Sequence, residues 1–215
     1  MSIDLTRTYI YHITNVANLP GILASGGLWS EQEREAHGVS NINIAHGHIK
    51  ERRKQTRVPV GAGGVVADYV PFYYCPRSPM LYSIHGGNVA GYADGQKSVV
   101  HLCSTLEIAR HNVQWCASTG HTDITSLCTF FDTIDGFSSL DWEAIRSKAW
   151  GFPHFTPDSD LKRRKQAEFL AHKFFPWNLF KGIGVIDEAA REIVQAQIEH
   201  AAHKPQIAIM RNWYY

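Results

Sequence analysis

Short apolar segments that never settle into a strand–helix–strand repeat constrain this chain most. Tyr9-Ile10-Tyr11-His12-Ile13 is aromatic and β-branched, which suits a strand. Val65 to Cys75, Ser98 to Cys103, Val113 to Ala117, Ile183 to Ile186 and Gln206 to Met210 predict five more. Gln166 to Ala171 is a short apolar run that periodicity leaves open between strand and helix. A helix is expected over Asn18 to Ala24, stopped by left-handed glycines at Gly26-Gly27, and another around Leu140 to Ala149. Asp187 can cap a third, in which Ala190, Ile193, Val194, Ile198 and Ala201 share one face until Pro205 ends it. Strands that outnumber helices without βαβ alternation imply an α+β fold.

Two long stretches interrupt this pattern. Residues 29–64 have weak periodicity and read as loop with at most one helical turn, and residues 118–160 are irregular apart from the helix near Leu140. Loops of this length within one domain are usually functional or disordered, so the site is expected there. At 215 residues and 44% hydrophobic content, the chain suits one domain over 1–215, with a core that needs no staples. No apolar run reaches the ~18 residues of a membrane span. The first ten residues lack a secretory pattern. Cys75, Cys103, Cys116 and Cys128 form no C-x-x-C pair, which suits reduced thiols in the cytoplasm.

The net charge is only +1, but the basic residues are clustered. Lys50, Arg52, Arg53, Lys54 and Arg57 lie in the first irregular stretch, and Lys162, Arg163, Arg164 and Lys165 follow the second. Brought together, they would hold a phosphate backbone on a nearly neutral protein; kept apart, they are two solvated basic surfaces. Glu168 follows the second cluster and precedes Phe169-Leu170-Ala171. Near those cations it can orient a hydroxyl or stabilise a developing positive charge; the alternative is an exposed residue in surface ion pairs. Tyr69, Phe72, Tyr73, Tyr74 and Tyr82 can stack a base or pack in the core. His46-Gly47-His48 lacks a further ligand motif, so no metal is expected. His85, His101 and His111 carry no motif, no G-x-S-x-G elbow is present, and Gly61-Ala62-Gly63-Gly64 reads as a turn.

Several blocks occur in an order that resembles the DarT family of DNA ADP-ribosyltransferase toxins. They are Tyr11-His12-Ile13-Thr14, Asn18-Leu19-Pro20-Gly21-Ile22-Leu23 with Gly26-Gly27-Leu28, and Asn41-Ile42-Asn43-Ile44 leading to Arg53. The most specific stretch runs from Val58-Pro59-Val60-Gly61 through Asp68-Tyr69-Val70-Pro71-Phe72-Tyr73 to Ser78-Pro79-Met80. Gln166-Ala167-Glu168 and Trp213-Tyr214 complete it. The resemblance implies an ADP-ribosyltransferase fold: a split, mostly antiparallel sheet with surrounding helices, two long functional loops and NAD in the cleft. It implies Glu168 and Arg53 as catalytic residues, and His12, Thr14, Tyr73 and Arg53 as contacts to NAD. On the substrate side it implies His121, Met80 and Tyr74, with Tyr74 and Tyr82 also able to take the part of Tyr73. It further implies single-stranded DNA modified on a base, with thymine favoured, and a macrodomain antitoxin like DarG as partner.

Replacement of Glu168 by alanine is expected to abolish transfer and leave folding intact. Three other readings stay open on the residues alone: an RNA or protein ADP-ribosyltransferase, a non-catalytic nucleic-acid-binding module, and a metal-dependent hydrolase built on His46 and His48.

Overall fold

Pro71 decides how the main sheet is laid out. The computed structural model describes residues 3–122, 128–148 and 160–215. Its strands are β1 (Tyr9–Asn15), β2 (Gly27–Trp29), β3 (Tyr69–Tyr73), β4 (Val99–Thr105), β5 (Trp115–Ser118), β6 (Phe130–Phe131), β7 (Glu168–His172), β8 (Phe174–Pro176), β9 (Gly182–Val185) and β10 (Gln206–Ile209). Eight of them form one sheet in the order β10-β9-β4-β1-β3-β7-β5-β6, and β2 pairs with β8 beside it. Among the described residues all these pairings are antiparallel except β9 with β10.

β1 runs alongside β4 from Tyr9↔Thr105 to Asn15↔Val99, and β3 runs alongside β7 from Tyr69↔His172 to Tyr73↔Glu168. Between β1 and β3, however, the only paired residues among those described are Tyr11 and Tyr73. In an antiparallel strand a residue's N–H and C=O face the same neighbour, and proline has no N–H to give. Pro71 therefore cannot extend the ladder toward β1, and its carbonyl is taken instead by the His12 ring at 2.9 Å. The sheet splits there, which opens a cleft between two well-paired halves.

The halves are held by an aromatic core. Phe72, Phe175 and Phe180 are fully buried, with ring centroids 4.6 Å apart for Phe72–Phe175 and 5.0 Å for Phe175–Phe180. A second cluster joins Leu81, Ile84, Val99 and Tyr214. At its edge, the fully buried His101 faces the Tyr214 hydroxyl (3.2 Å) through Nδ1 and donates from Nε2 to the Pro76 carbonyl (3.0 Å).

The eight α-helices of the described residues are α1 (Leu19–Ala24), α2 (Glu31–Ala36), α3 (Gly47–Gln55), α4 (Pro79–His85), α5 (Leu106–Asn112), α6 (Trp142–Arg146), α7 (Leu161–Lys165) and α8 (Glu188–Ile198). Gly26 adopts φ 73° after α1, the left-handed stop expected from the sequence. Residues 29–64 are more ordered than their periodicity implies, since they hold α2 and α3. Residues 66–68 are a 3₁₀ turn, so β3 is shorter than the expected strand. Gln166–Ala171 resolves as strand β7, and α6 occupies only part of the helix expected to Ala149, which lies outside the described residues. In α8, Ala190, Val194 and Ile198 are buried, but Ile193 lies outside that stripe and is 48% exposed. Among the described residues no helix is long and apolar enough to cross a membrane.

Candidate active site

Glu168 begins β7, on the strand opposite Tyr73 of β3 and Ser118 of β5. Its backbone N–H donates to the Ser118 hydroxyl at 3.2 Å. It is buried, not a surface acid, and its partner comes from 115 residues away. Arg53 of α3 places Nη1 3.1 Å from Oε1 and 3.0 Å from Oε2. One nitrogen thus serves both oxygens, while the buried Nη2 has no hydrogen-bond partner among the described residues. An orphaned guanidinium nitrogen is costly unless a ligand uses it. A helix with no buried residue and almost no apolar content delivers this arginine, and its ion pair ties the helix to β7.

The split leaves a cleft of about 650 Å³, within the range of small-molecule sites. His12 and Thr14 of β1, Tyr73 of β3, Met80 of α4, His121, Arg53 and Glu168 all line it. Tyr74 does not. Tyr73 ends β3 facing the cleft, and Tyr74, the next residue, is buried on the core side. There its ring lies 5.5 Å from Trp142 and 6.3 Å from Phe137. The expected substrate contact by Tyr74 is therefore corrected. Tyr82 also lies outside the lining, on another face of α4. Tyr69 and Phe72 are core residues, although Tyr69 also touches the cleft wall.

Burial and the neighbouring Arg53 charge push the His12 imidazole down to about 4, against a pull upward from the Pro71 carbonyl. A carbonyl only accepts, so the neutral ring donates from Nδ1 and keeps Nε2 as an acceptor. That atom suits a ribose hydroxyl or an amide N–H. Burial holds His101 at about 4 as well. Both rings have an ordinary value of 6.5, so the unfolded chain takes up protons that the folded chain refuses. Stability is therefore expected to be full above pH 6.5 and to fall between 6.5 and 4, by about 1.4 kcal/mol per pH unit for each ring. Urea titrations at about pH 7, 5.5 and 4.5 measure this, and His101→Gln should reduce the slope. An unchanged unfolding free energy across that range would contradict the burial of both rings.

Both basic clusters reach the cleft, but not whole. Lys50, Arg52 and Arg53 line one wall; Lys162 and Arg163 line another. Lys54 is paired with Glu35 and Glu51, and Arg164 with Asp141 and Asp160. Lys165 is not solvated: its Nζ is buried, donating to the carbonyls of Ile145 (2.7 Å) and Ser147 (2.9 Å). The His46 and His48 rings lie 5.3 Å apart at the rim, and no group of three metal-ligating side chains occurs among the described residues.

Two positioning groups escape a reading of the sequence. Asn18 accepts from the Ile42 N–H (2.7 Å) and donates to the Ile42 carbonyl and the Thr14 hydroxyl (both 3.0 Å), fastening the 39–46 loop to β1. Its place in the Asn18-Leu19-Pro20 block is visible, but its long-range partner is not. Arg163 is gripped by Asp160 through Nε (2.6 Å) and Nη2 (2.7 Å), and its carbonyl accepts from the His121 N–H (3.0 Å). Gly120 makes room for it, since a Cβ there would run into the Arg163 guanidinium.

A strand-borne glutamate paired to an arginine, in the cleft of a split antiparallel sheet, fits the class that the resemblance implies, the NAD-dependent ADP-ribosyltransferases. The model of the family described as "ssDNA thymidine ADP-ribosyltransferase, DarT" matches residues 11–215, and the chain belongs to the DarT family. A DNA ADP-ribosyl transferase of Thermus aquaticus is 40% identical over 215 residues, 97% of this chain and 89% of the relative. One from Escherichia coli O127:H6 is 27% identical, over 100% of this chain and 96% of its own length. The solved structure of Thermus sp. 2.9 DarT in complex with ADP-ribosylated ssDNA has a TM-score of 0.88 at 37% identity, covering 97% of this chain and 96% of that one. The same relative in complex with NAD+ gives a TM-score of 0.83 at 35% identity, covering 97% and 98%.

Proposed function

We propose that this chain transfers ADP-ribose from NAD to thymidine in single-stranded DNA and releases nicotinamide. The observation that carries this reading is the buried Glu168–Arg53 pair in a dinucleotide-sized cleft with basic walls. NAD supplies the ADP-ribosyl group, its nicotinamide leaving with the electron pair of the glycosidic bond. Glu168 accepts a hydrogen bond from a ribose hydroxyl and stabilises the positive charge that develops on the sugar. Arg53 orients Glu168 through Nη1 and offers Nη2 to pyrophosphate or to a carbonyl of the incoming base. His12 accepts from the cofactor through Nε2, and Thr14 and Tyr73 complete that wall. Met80 and His121 border the entering base.

Thymidine's free ring nitrogen carries a proton, so a base must remove it as the new bond forms; Glu168, directly or through Arg53, takes this role. An unpaired base enters the cleft without the few kcal/mol that flipping from a duplex costs. Lys50, Arg52, Lys162 and Arg163 supply the local field for the phosphates.

Residues 1–215 form one catalytic unit in this reading, because the main sheet draws strands from Tyr9 through Ile209. The activity belongs in the cytoplasm, where DNA is accessible and the four free thiols stay reduced. It is that of a toxin, balanced by a macrodomain antitoxin of the DarG type that removes the mark. Mass spectrometry of a mixed oligonucleotide pool incubated with NAD tests the reaction. Single strands containing thymidine should gain ADP-ribose mass, and the gain should persist with a metal chelator. Labelling of protein or RNA alone, with DNA untouched, would overturn the acceptor assignment.

A further inference from the structure

Ser118 is fully buried at the end of β5, opposite Glu168 of β7, and it does not line the cleft. Its hydroxyl nevertheless uses both of its hydrogen-bonding capacities on the site. Oγ accepts from the Glu168 N–H at 3.2 Å and donates to the Gly120 carbonyl at 2.9 Å. One buried atom joins the residue that carries the carboxylate to the residue that precedes His121.

The other ties of that turn lead elsewhere. Thr119 donates its N–H to the Thr129 carbonyl (2.9 Å) and accepts from the Thr129 N–H through Oγ1 (3.0 Å), which fixes it to the residue before β6. The His121 N–H donates to the Arg163 carbonyl (3.0 Å), which fixes it to α7. The Cys128 thiol also donates to the Gly120 carbonyl, at 3.4 Å. None of these contacts touches Glu168. Glu168 in turn is held by Arg53 and by its pairing with Tyr73 of β3. Ser118 belongs to both sets.

We infer that Ser118 is a positioning residue that sets the two halves of the site against each other: the sugar beside Glu168 and the thymine bordered by His121. The inference rests on the DNA-transfer reading given above. As the glycosidic bond of NAD breaks, nicotinamide leaves with its electron pair, and one of two acceptors takes the ribose carbon. The thymine nitrogen bonds to it and loses its proton, or water bonds to it, loses a proton and yields free ADP-ribose. Transfer needs the nitrogen close and in line, and a misplacement on the order of 1 Å costs about 10²-fold in such a step. Water needs no comparable alignment. Without the Ser118 hydroxyl, Glu168 keeps Arg53 and β3, but Gly120 and His121 lose their tie to it. Cleavage of NAD then survives better than transfer.

The test uses the full chain with saturating NAD and a thymidine-containing single strand, and follows free and DNA-joined ADP-ribose in one reaction. Ser118→Ala should raise the ratio of free to joined ADP-ribose about tenfold over wild type, with kcat for transfer lowered and the KM for NAD unchanged. The ratio counts only active molecules, so a smaller folded fraction does not move it. Ser118→Thr, which keeps a hydroxyl able to accept and donate, should restore the wild-type ratio. An unchanged ratio in Ser118→Ala, or the same raised ratio in both variants, would overturn the positioning role and leave the transfer reading standing. A wild-type protein that modifies no oligonucleotide would overturn that reading, and this inference with it.

Discussion

Glu168→Gln is expected to reduce ADP-ribose transfer by a factor on the order of 10³ or more while the protein stays folded and still binds NAD. The amide preserves the shape of the side chain and one acceptor for Arg53 Nη1, 3.1 Å from Oε1 in the native pair. It removes the negative charge that stabilises the sugar as the glycosidic bond lengthens, and it cannot take the proton of the incoming base. Glutamine is the better choice than alanine. Either substitution leaves the largely buried Arg53 charge without its counterion, but alanine also removes every acceptor for Nη1, whereas glutamine keeps one. Losing one partner of a buried pair costs about 3–5 kcal/mol. Alanine is therefore expected to lower stability as well as transfer, and its thermal melt decides whether folding stays intact. Nicotinamide release and oligonucleotide mass report turnover, and a thermal melt reports folding. Turnover within about tenfold of wild type would remove Glu168 from the chemistry.

The strand pattern was legible because its signal is local. The aromatic run Tyr9–Ile13, the apolar run after Ser98 and the Asp187 cap each mark an element close to the one observed. α3 was invisible for a physical reason: Gly47–Gln55 is nearly all polar and buries no residue, so it has no apolar stripe to detect. α2 did carry a local signal, since Ser30 accepts from the Glu33 N–H, as its Ser-x-x-Glu spacing indicates. Ser78-Pro79 likewise marks the start of α4. The split in the sheet was written in Pro71, but reading it required knowing that β1 is its neighbour.

Site composition followed the same divide. The motif blocks identified most of the residues that line the cleft, whereas burial on the core side removes Tyr74 and helix facing removes Tyr82 from it. Charge runs alone misplaced Lys165, because a buried ammonium that satisfies two carbonyls has the same sequence signature as an exposed one. Asn18 and Arg163 act through partners far along the chain, Ile42 and His121, where no spacing rule reaches.

Arg53→Lys is expected to lower transfer about 10²-fold, and its combination with Glu168→Gln to be hardly worse than Glu168→Gln alone. Lysine keeps the positive charge but is a point donor on a flexible stem. It can sit near Glu168, yet its flexible ammonium does not fix the carboxylate in the single orientation that the planar Arg53 guanidinium imposes through Nη1. The loss should appear in kcat rather than in the KM for DNA, since Lys50, Arg52 and Lys162 remain on the cleft walls. Near-identity of the double and single variants follows if the two side chains act as one unit, with Arg53 working through the carboxylate it orients. Single-turnover rates for wild type, both single variants and the double variant close the cycle. If the double variant instead shows the product of the two separate losses, Arg53 acts independently of Glu168, on the pyrophosphate or the base, and the bridge between them is structural.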